Sequence, residues 1–188
     1  LDVTSDITIA SAASTVEKTH GRLDMLINNA AIALAPGPGT LRSQLDACFA
    51  TNATGPAVVV EAFLPLLRKS AHPGKRIVNV SSGAGSISRR LDPASAMYGM
   101  KGGWQYRASK AALNMLNACM AVECAELGIK VLAYDPGFTQ SNLSPHNTAE
   151  SGARSADESV EPLVEVIEGQ RDAEWAQGML HNSGSYGW

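Results

Sequence analysis

The chain has 188 residues, of which 45% are hydrophobic and 18% are charged, and its formal net charge is −3. This length suits one domain with a sizeable core, and the lack of a basic excess argues against nucleic-acid binding, which needs clustered Lys and Arg. The sequence contains no apolar run as long as a membrane span and no signal peptide, so we expect a cytoplasmic protein without membrane contacts.

In the first half of the chain, hydrophobic periodicity and capping residues predict two helices with a buried strand between them. Ser5 or Asp6 can cap the first helix, and Gly21 can end it. Pro56 and Pro65 are expected to bend or interrupt the second helix. The predicted bounds are 5–20 for the first helix, 23–27 for the strand, 30–39 for a loop and 41–69 for the second helix.

The second half continues the alternation of strands and helices. The predicted elements are a strand at 75–80, a long loop at 81–105, a helix at 106–127, a strand at 129–134, an irregular flap at 138–156, a helix at 157–168 and a last strand at 176–182. Such alternation is typical of a parallel sheet with helices on both faces. We therefore predict one α/β domain over residues 1–188, with a three-layer, doubly wound, Rossmann-type parallel sheet.

Tyr106 and Lys110 are the main candidates for acid–base chemistry. A spacing of four residues places both side chains on one face of a helix. An ammonium beside a phenol favours the phenolate, so we expect Lys110 to lower the pKa of Tyr106. Tyr98 and Lys101 form a similar pair, but Gly102 interrupts any helix there.

Ser82 follows the predicted strand at 75–80, whose carboxyl end faces the crevice where open α/β sheets bind ligands. Its hydroxyl can therefore hydrogen-bond a substrate oxygen, and a purely local role at the strand end is the alternative. No Gly-x-Ser-x-Gly element accompanies it.

The cysteines and histidines show no spacing that suits a metal site. Cys48, Cys119 and Cys124 are odd in number, and the four histidines are scattered. We predict buried thiols in a reducing compartment and no bound metal.

Five elements in a fixed order resemble the short-chain dehydrogenase/reductase family over nearly the whole chain. They are Asn-Asn-Ala-Ala at 28–31, Thr-Asn-Ala-Thr-Gly at 51–55, Ile-Val-Asn-Val-Ser-Ser at 77–82, Tyr-Arg-Ala-Ser-Lys at 106–110 and Pro-Gly-Phe-Thr-Gln-Ser at 136–141. The resemblance implies hydride transfer between a nicotinamide cofactor and a ketone, an aldehyde or an alcohol.

The resemblance also implies a catalytic tetrad. In it, Tyr106 exchanges a proton with the substrate oxygen, and Ser82 polarises that oxygen. Lys110 lowers the pKa of Tyr106 and binds the nicotinamide ribose, while Asn52 holds a water that links Lys110 to solvent.

By the same resemblance, NADP or NAD is the expected cofactor, with a slight preference for NADP. Asp2 would contact the adenine, Asn29 would lie near the adenosine ribose, and Thr139 and Ser141 would hold the carboxamide or diphosphate end. The full set of implied cofactor-binding residues is Asp2, Asn29, Ala30, Tyr106, Lys110, Pro136, Gly137, Thr139 and Ser141.

The sequence departs from the family pattern at its start. The family's Gly-rich phosphate-binding turn does not precede Asp2. The fold is therefore expected to be N-terminally incomplete, with the strand at 23–27 as an exposed apolar edge. We expect the sequence to come from a longer protein; a short paralogue, or a second chain that supplies the strands, are the alternatives.

The loop between Ser82 and Tyr106 is longer than is usual in the family. Residues 86–105 can form a lid lined by Met97, Tyr98, Met100 and Trp104, or an excursion that packs on a neighbouring subunit. This spacing resembles carbonyl reductases of the sniffer and C-factor type. The Gly-rich, aromatic segment 181–188 is expected to pack on a subunit or to close the pocket.

Two alternatives to an oxidoreductase remain on the sequence alone. One is a pseudoenzyme or binding partner without cofactor, and the other is a cofactor-independent isomerase or cyclase. The family resemblance also implies a homodimer or homotetramer formed through the helices at 41–69 and 106–127.

Overall fold

The computed structural model describes residues 1–35 and 37–188, without the side chains of 175–177. Position 36 of the predicted loop at 30–39 lies outside the described residues. The helices are α1 (Asp6–His20), α2 (Leu41–Phe49), α3 (Gly55–Arg68), α4 (Ile87–Leu91), α5 (Trp104–Ala125) and α6 (Ala156–Ile167). The strands are β1 (Met25–Asn28), β2 (Arg76–Val80), β3 (Lys130–Tyr134), β4 (Met179–Leu180) and β5 (Ser185–Tyr186).

The five strands form one sheet in the order β1-β2-β3-β4-β5. The first four strands are parallel, and β5 runs antiparallel to β4. Leu26 pairs with Ile77, and Ile77 pairs with Val131. In the described residues these strands are neighbours in chain order, and β1 forms one edge, where Ile27 is 42% exposed. The apolar edge expected from the sequence is therefore present.

The sheet is covered on both faces, which confirms the predicted three-layer α/β fold. Ile77 and Val131 point to one face, where they pack with α3 and α5. Their neighbours Val78 and Leu132 point to the other face, where α6 supplies Leu163 and Val166. Since both faces are buried, β3 runs Val-Leu-Ala-Tyr after Lys130 and β2 carries Ile77 and Val78 side by side, instead of alternating apolar and polar residues. Helix α1 packs on α3 rather than on the middle of the sheet.

The predicted helix at 41–69 is interrupted at one of its two prolines. A π-helical turn at Ala50–Thr54 separates α2 from α3, and the Gly55 N–H bonds the carbonyl of Ala50. Pro56 has no N–H to offer the carbonyl of Asn52, so a regular α-helical bond cannot form there. Pro65 is accommodated inside α3.

The same run corrects one expectation about membranes. By length and composition alone, Leu41–Arg68 is apolar enough to cross a membrane, with 28 residues and a mean hydropathy of 1.3. Some 44% of its most apolar window is buried inside the molecule. A buried core helix passes the same test, so this is weak evidence for a membrane span.

Several short elements were not expected from the sequence. The predicted loop at 81–105 contains a 3-10 turn at Gly83–Gly85 and helix α4, and α5 begins at Trp104. The predicted strand at 176–182 is reduced to β4, preceded by a 3-10 helix at Asp172–Gln177. Strand β5 was missed because two residues carry too little pattern to be recognised.

The thiols are divided between the core and the surface. Cys48 and Cys124 are buried, as predicted, whereas Cys119 is exposed. All three cysteines are free. The prediction of three buried thiols is thus wrong for Cys119, which lies on the outer face of α5.

Gly85 allows the segment after β2 to lie directly against α5. A Cβ atom built on Gly85 would lie 2.7 Å from the carbonyl carbon of Lys110 and 2.8 Å from the backbone nitrogen of Ala111. Backbone atoms of a helix cannot yield as the end of a flexible side chain can. The close approach therefore fixes the distance between the end of β2 and Lys110.

We predict that Gly85→Ala forces these segments apart and lowers the free energy of unfolding by about 1–3 kcal/mol. Urea denaturation followed by circular dichroism measures the change. Gly99→Ala is the matched control, because nothing lies within 4 Å of a Cβ atom built there. Equal stability of the two variants would contradict the packing argument.

Candidate active site

A cavity of about 560 Å³ opens at the carboxyl ends of β1, β2 and β3. The segments that follow these strands line it with residues 29–31, 81–82 and 135–137. The flap and α6 close the other side with residues that include Thr139, Ser141, Leu143 and Leu163. This is the position at which open α/β sheets bind ligands.

Tyr106 and Lys110 project from the first turns of α5 into this cavity, beside Ser82. Lys110 is 1% exposed, and its ammonium donates to the carbonyl oxygen of Val80 at 2.8 Å. It lies 5.8 Å from the centroid of the Tyr106 ring. The Ser82 oxygen accepts the Ala84 N–H at 3.1 Å. The fold thus brings together the three side chains that the sequence placed on separate elements.

Burial dominates the protonation of this pair. It raises the pKa of Tyr106 to about 12, against the lowering effect of the Ser82 hydroxyl, and the Asp135 charge raises it further. Burial also lowers the pKa of Lys110 to about 8, and Asp135 opposes that shift. The pKa of Tyr106 is thus raised in the chain alone because desolvation dominates it, and a lowering effect of Lys110 on this pKa stays a prediction.

Asn52 does not line the cavity, but its hydrogen bonds connect two of the segments that surround it. Its amide accepts the Ile32 N–H at 2.8 Å, donates to the Ile32 carbonyl at 2.8 Å and donates to the Ser109 hydroxyl at 2.9 Å. These bonds join the loop after β1 to α5 through the π-helical turn. The predicted role of Asn52 in holding a water stays a prediction.

Eight of the nine residues expected to contact a cofactor line the cavity, and Asp2 does not. The eight are Asn29, Ala30, Tyr106, Lys110, Pro136, Gly137, Thr139 and Ser141. The Asp2 carboxylate instead accepts the backbone N–H and the hydroxyl of Thr4 ahead of α1. Leu1 and Val3 line a smaller cavity of about 220 Å³, which shares Asn29 and Ala30 with the larger one.

A row of amides beneath the site was missed by sequence reasoning. Asn28 donates to Asn79 at 2.8 Å, and Asn79 donates to Asn117 of α5 at 2.9 Å. This row connects β1, β2 and α5 through buried or half-buried side chains. The signal available in the sequence was the presence of three asparagines at positions of β1, β2 and α5 that otherwise suit apolar residues.

Asp135 also lines the cavity and was treated in the sequence only as part of a turn that ends a strand. Asp135 is the first residue after β3, and Ser82 is the second residue after β2. The rule that singled out Ser82, a polar side chain at the carboxyl end of a buried strand, applies equally to Asp135.

Of the two alternatives for residues 86–105, the lid does not close over the site in the structure. Met97, Tyr98, Met100 and Trp104 are absent from the cavity lining, and Tyr98 is 53% exposed. The loop is held from outside the cavity instead, since Arg90 donates to the Tyr98 carbonyl at 3.0 Å and Arg107 to the Gly102 carbonyl at 3.1 Å.

Comparison with known proteins agrees with this geometry. The family model described as short chain dehydrogenase matches residues 1–152. Short-chain dehydrogenase anuI of Penicillium roqueforti is 42% identical over 168 residues, which are 87% of this chain. The chain spans 64% of the length of that relative.

Solved structures give the same assignment. The NADPH-bound carbonyl reductase from chicken fatty liver has a TM-score of 0.83 at 31% identity, and the match covers all of this chain and 75% of that one. Carbonyl reductase Sniffer of D. melanogaster has a TM-score of 0.79 at 22% identity and supports the fold alone. With a family model that matches most of its length and a site built at the ends of β1, β2 and β3, the chain belongs to the short-chain dehydrogenase/reductase family.

Proposed function

We propose that the protein is an NAD(P)-dependent oxidoreductase that interconverts a ketone or an aldehyde with an alcohol. The observation that carries the proposal is the convergence of Ser82, Tyr106 and Lys110 in one cavity at the carboxyl ends of the strands. A hydroxyl, a phenol and an ammonium can together bind a carbonyl oxygen and exchange a proton with it. Family membership supports this class of reaction.

The cavity suits a nicotinamide riboside in the chemistry of its lining. Lys110, Thr139 and Ser141 offer an ammonium and two hydroxyls to sugar and amide groups, while Ala30 and Leu163 offer apolar surface to a ring. When bound, the nicotinamide supplies or accepts the hydride. The relative from chicken fatty liver is described as NADPH-bound, which supports NADP over NAD as the proposed cofactor.

The chain's own residues handle the proton and the orientation of the substrate. Tyr106 carries its proton near neutral pH because burial raises its pKa to about 12. In carbonyl reduction it is therefore the group that has a proton to donate to the substrate oxygen. The Ser82 hydroxyl orients the same oxygen. Lys110 lies beneath the phenol and is the group that would hold a ribose hydroxyl. Its own burial keeps bulk water away from the ammonium.

Replacement of Tyr106 by Phe tests the assigned acid. We expect at least about a 100-fold loss of carbonyl-dependent NADPH oxidation, because proton donation is lost while the ring is kept. Tyr98→Phe is the matched control, since Tyr98 is exposed and lies outside the cavity. The protein is assayed at full length by absorbance of the reduced cofactor.

Three results would contradict the proposal. Full activity in Tyr106→Phe would remove the proposed acid, and a failure of wild type to bind NAD(P)H would favour a pseudoenzyme or binding partner. Turnover that does not need the cofactor would favour an isomerase or cyclase.

The buried ammonium predicts an unusual pH dependence of stability. The pKa of Lys110 falls from 10.5 to about 8 on folding, so the unfolded chain binds more protons between these values. Stability should therefore rise with pH across this window, by on the order of 3 kcal/mol. Urea midpoints at both ends of the window measure the rise. Lys110→Met should abolish it and Lys101→Met, at an exposed position, should keep it; an equal rise in both variants would disprove the assignment.

We also propose a cytoplasmic homodimer or homotetramer that associates through α5 and the helices packed on it. Met115 and Val122 are seven residues apart on the outer face of α5 and are 67% and 77% exposed. Such a stripe at helical spacing is an apolar surface that association would bury. Size-exclusion chromatography with light scattering should give a dimer or tetramer, and Met115→Glu should shift it towards monomer. A wild-type monomer would contradict the proposal.

A further inference from the structure

A cluster of polar side chains adjoins the cavity behind the Pro136–Gly137 turn. Asp135 is 5% exposed, and its Oδ1 accepts the Gly137 N–H at 2.9 Å. Its Oδ2 accepts the hydroxyl of Tyr186. His181 Nδ1 lies 3.6 Å from Oδ2 and 3.0 Å from the carbonyl oxygen of Asp135.

The C-terminal segment connects this cluster to the segment that follows the site serine. The guanidinium carbon of Arg89 lies 4.4 Å from the centroid of the Tyr186 ring. The Ser86 hydroxyl donates to the Gly187 carbonyl at 2.6 Å, and the Ser88 N–H donates to the Trp188 carbonyl at 2.9 Å. Residues 186–188 thus hold α4 and the turn before it, which lead back to Ser82.

Gly83 shows how tightly the two segments meet. A Cβ atom built on Gly83 would lie 2.9 Å from Asp135 Oδ2 and 2.7 Å from the Tyr186 hydroxyl oxygen, and it would clash with Arg89. The Asp135 carboxylate is therefore placed directly against the backbone that follows Ser82. It faces the same cavity as Tyr106 and Lys110.

The charge of Asp135 acts on both members of the pair. Burial lowers the pKa of Lys110, and Asp135 is the group that raises it again. After burial and the opposing Ser82 hydroxyl, Asp135 also raises the pKa of Tyr106. Removal of the carboxylate charge should therefore lower both values.

We propose that Asp135, oriented by Tyr186 of the C-terminal segment, is the positioning residue that keeps the Lys110 ammonium charged beneath Tyr106. A buried ammonium needs a nearby negative charge to persist. Asp135 is placed to provide it, because the ammonium binds the Val80 carbonyl, Val80 pairs with Tyr134, and Asp135 is the next residue along the chain. The remaining charged or titratable groups that face Asp135 are His181, Arg89 and Tyr186, with Arg154 behind the turn, where it donates to the Pro136 carbonyl at 2.6 Å. The effect of Asp135 on turnover rests on the proposed function, whereas its effect on the charge of Lys110 does not.

The titration of Lys110 in Asp135→Asn tests the proposal directly. Carbon NMR of labelled lysine, with Lys110→Met to assign the signal, follows the protonation of Lys110 in the full-length protein. We expect its titration midpoint to move about one unit lower in Asp135→Asn. Asp172→Asn is the matched control, because Asp172 pairs with Arg76 and Lys130 at the opposite ends of β2 and β3. An unchanged midpoint in Asp135→Asn, or an equal shift in the control, overturns the proposal.

The pH profile of turnover provides a second readout. In Asp135→Asn the loss of reduction at high pH should begin about one unit lower, whereas Asp172→Asn should keep the wild-type profile. An unchanged profile in Asp135→Asn overturns the catalytic part of the proposal. If wild type shows no turnover, the proposed function fails while the NMR titration still decides the role of Asp135.

Tyr186→Phe keeps the test available if Asp135→Asn does not fold. It retains the ring beside Arg89 and removes only the hydroxyl that disperses the carboxylate charge. The Lys110 midpoint should then rise, and in an Asp135→Asn background the same change should have no further effect. A Tyr186→Phe variant with the wild-type midpoint would overturn the role given to the C-terminal segment.

Discussion

The hydrogen bond from the buried Lys110 ammonium to the Val80 carbonyl is the constraint on which the site depends. It places a cation in the core, where desolvation penalises charge, and it ties α5 to the carboxyl end of β2. Two features of the surrounding structure accommodate the buried ammonium. Gly85 lets the turn after β2 touch the backbone of α5, and Asp135 brings a negative charge from the end of β3. The Lys110 ammonium that the proposed reaction needs therefore lowers the stability of the fold, a trade-off that is common at active sites.

The inner face of α5 fixes the helix against the sheet and against the π-helical turn through buried hydrogen bonds. Besides Lys110, helix α5 buries the polar residues Ser109, Asn114 and Asn117. Each finds a partner across the interface: Asn52 for Ser109, Ser81 for Asn114 and Asn79 for Asn117. Because every lost bond would leave a buried polar group unsatisfied, these contacts specify one orientation of the helix.

Much of the fold was readable from the sequence, since β2 and β3 carry adjacent buried apolar residues and α5 runs for 22 residues. The three-layer architecture and the meeting of Ser82, Tyr106 and Lys110 followed from periodicity and from the family resemblance. The pKa shifts were not readable, because burial depends on tertiary packing around Tyr106 and not on its spacing from Lys110. Strand β5 escaped because two residues give no period. The side-chain contacts of Tyr186 escaped because its partners Asp135 and Arg89 lie about fifty and a hundred positions away.

The π-helical turn at Ala50–Thr54 has a consequence for how length can vary in this segment. Each residue of an α-helix advances the chain by about 100° around the axis. The wider turn therefore sets the angle between the face of α2 that meets α5 and the face of α3 that meets α1 and the sheet. The π-helical turn thus fixes the rotation of one packing face relative to the other. A substitution in the turn keeps the number of residues and so keeps this angle. The insertion or deletion of one residue would rotate α2 relative to α3 by about 100°, so that one of the two helices would lose its packing partner and Asn52 would be displaced.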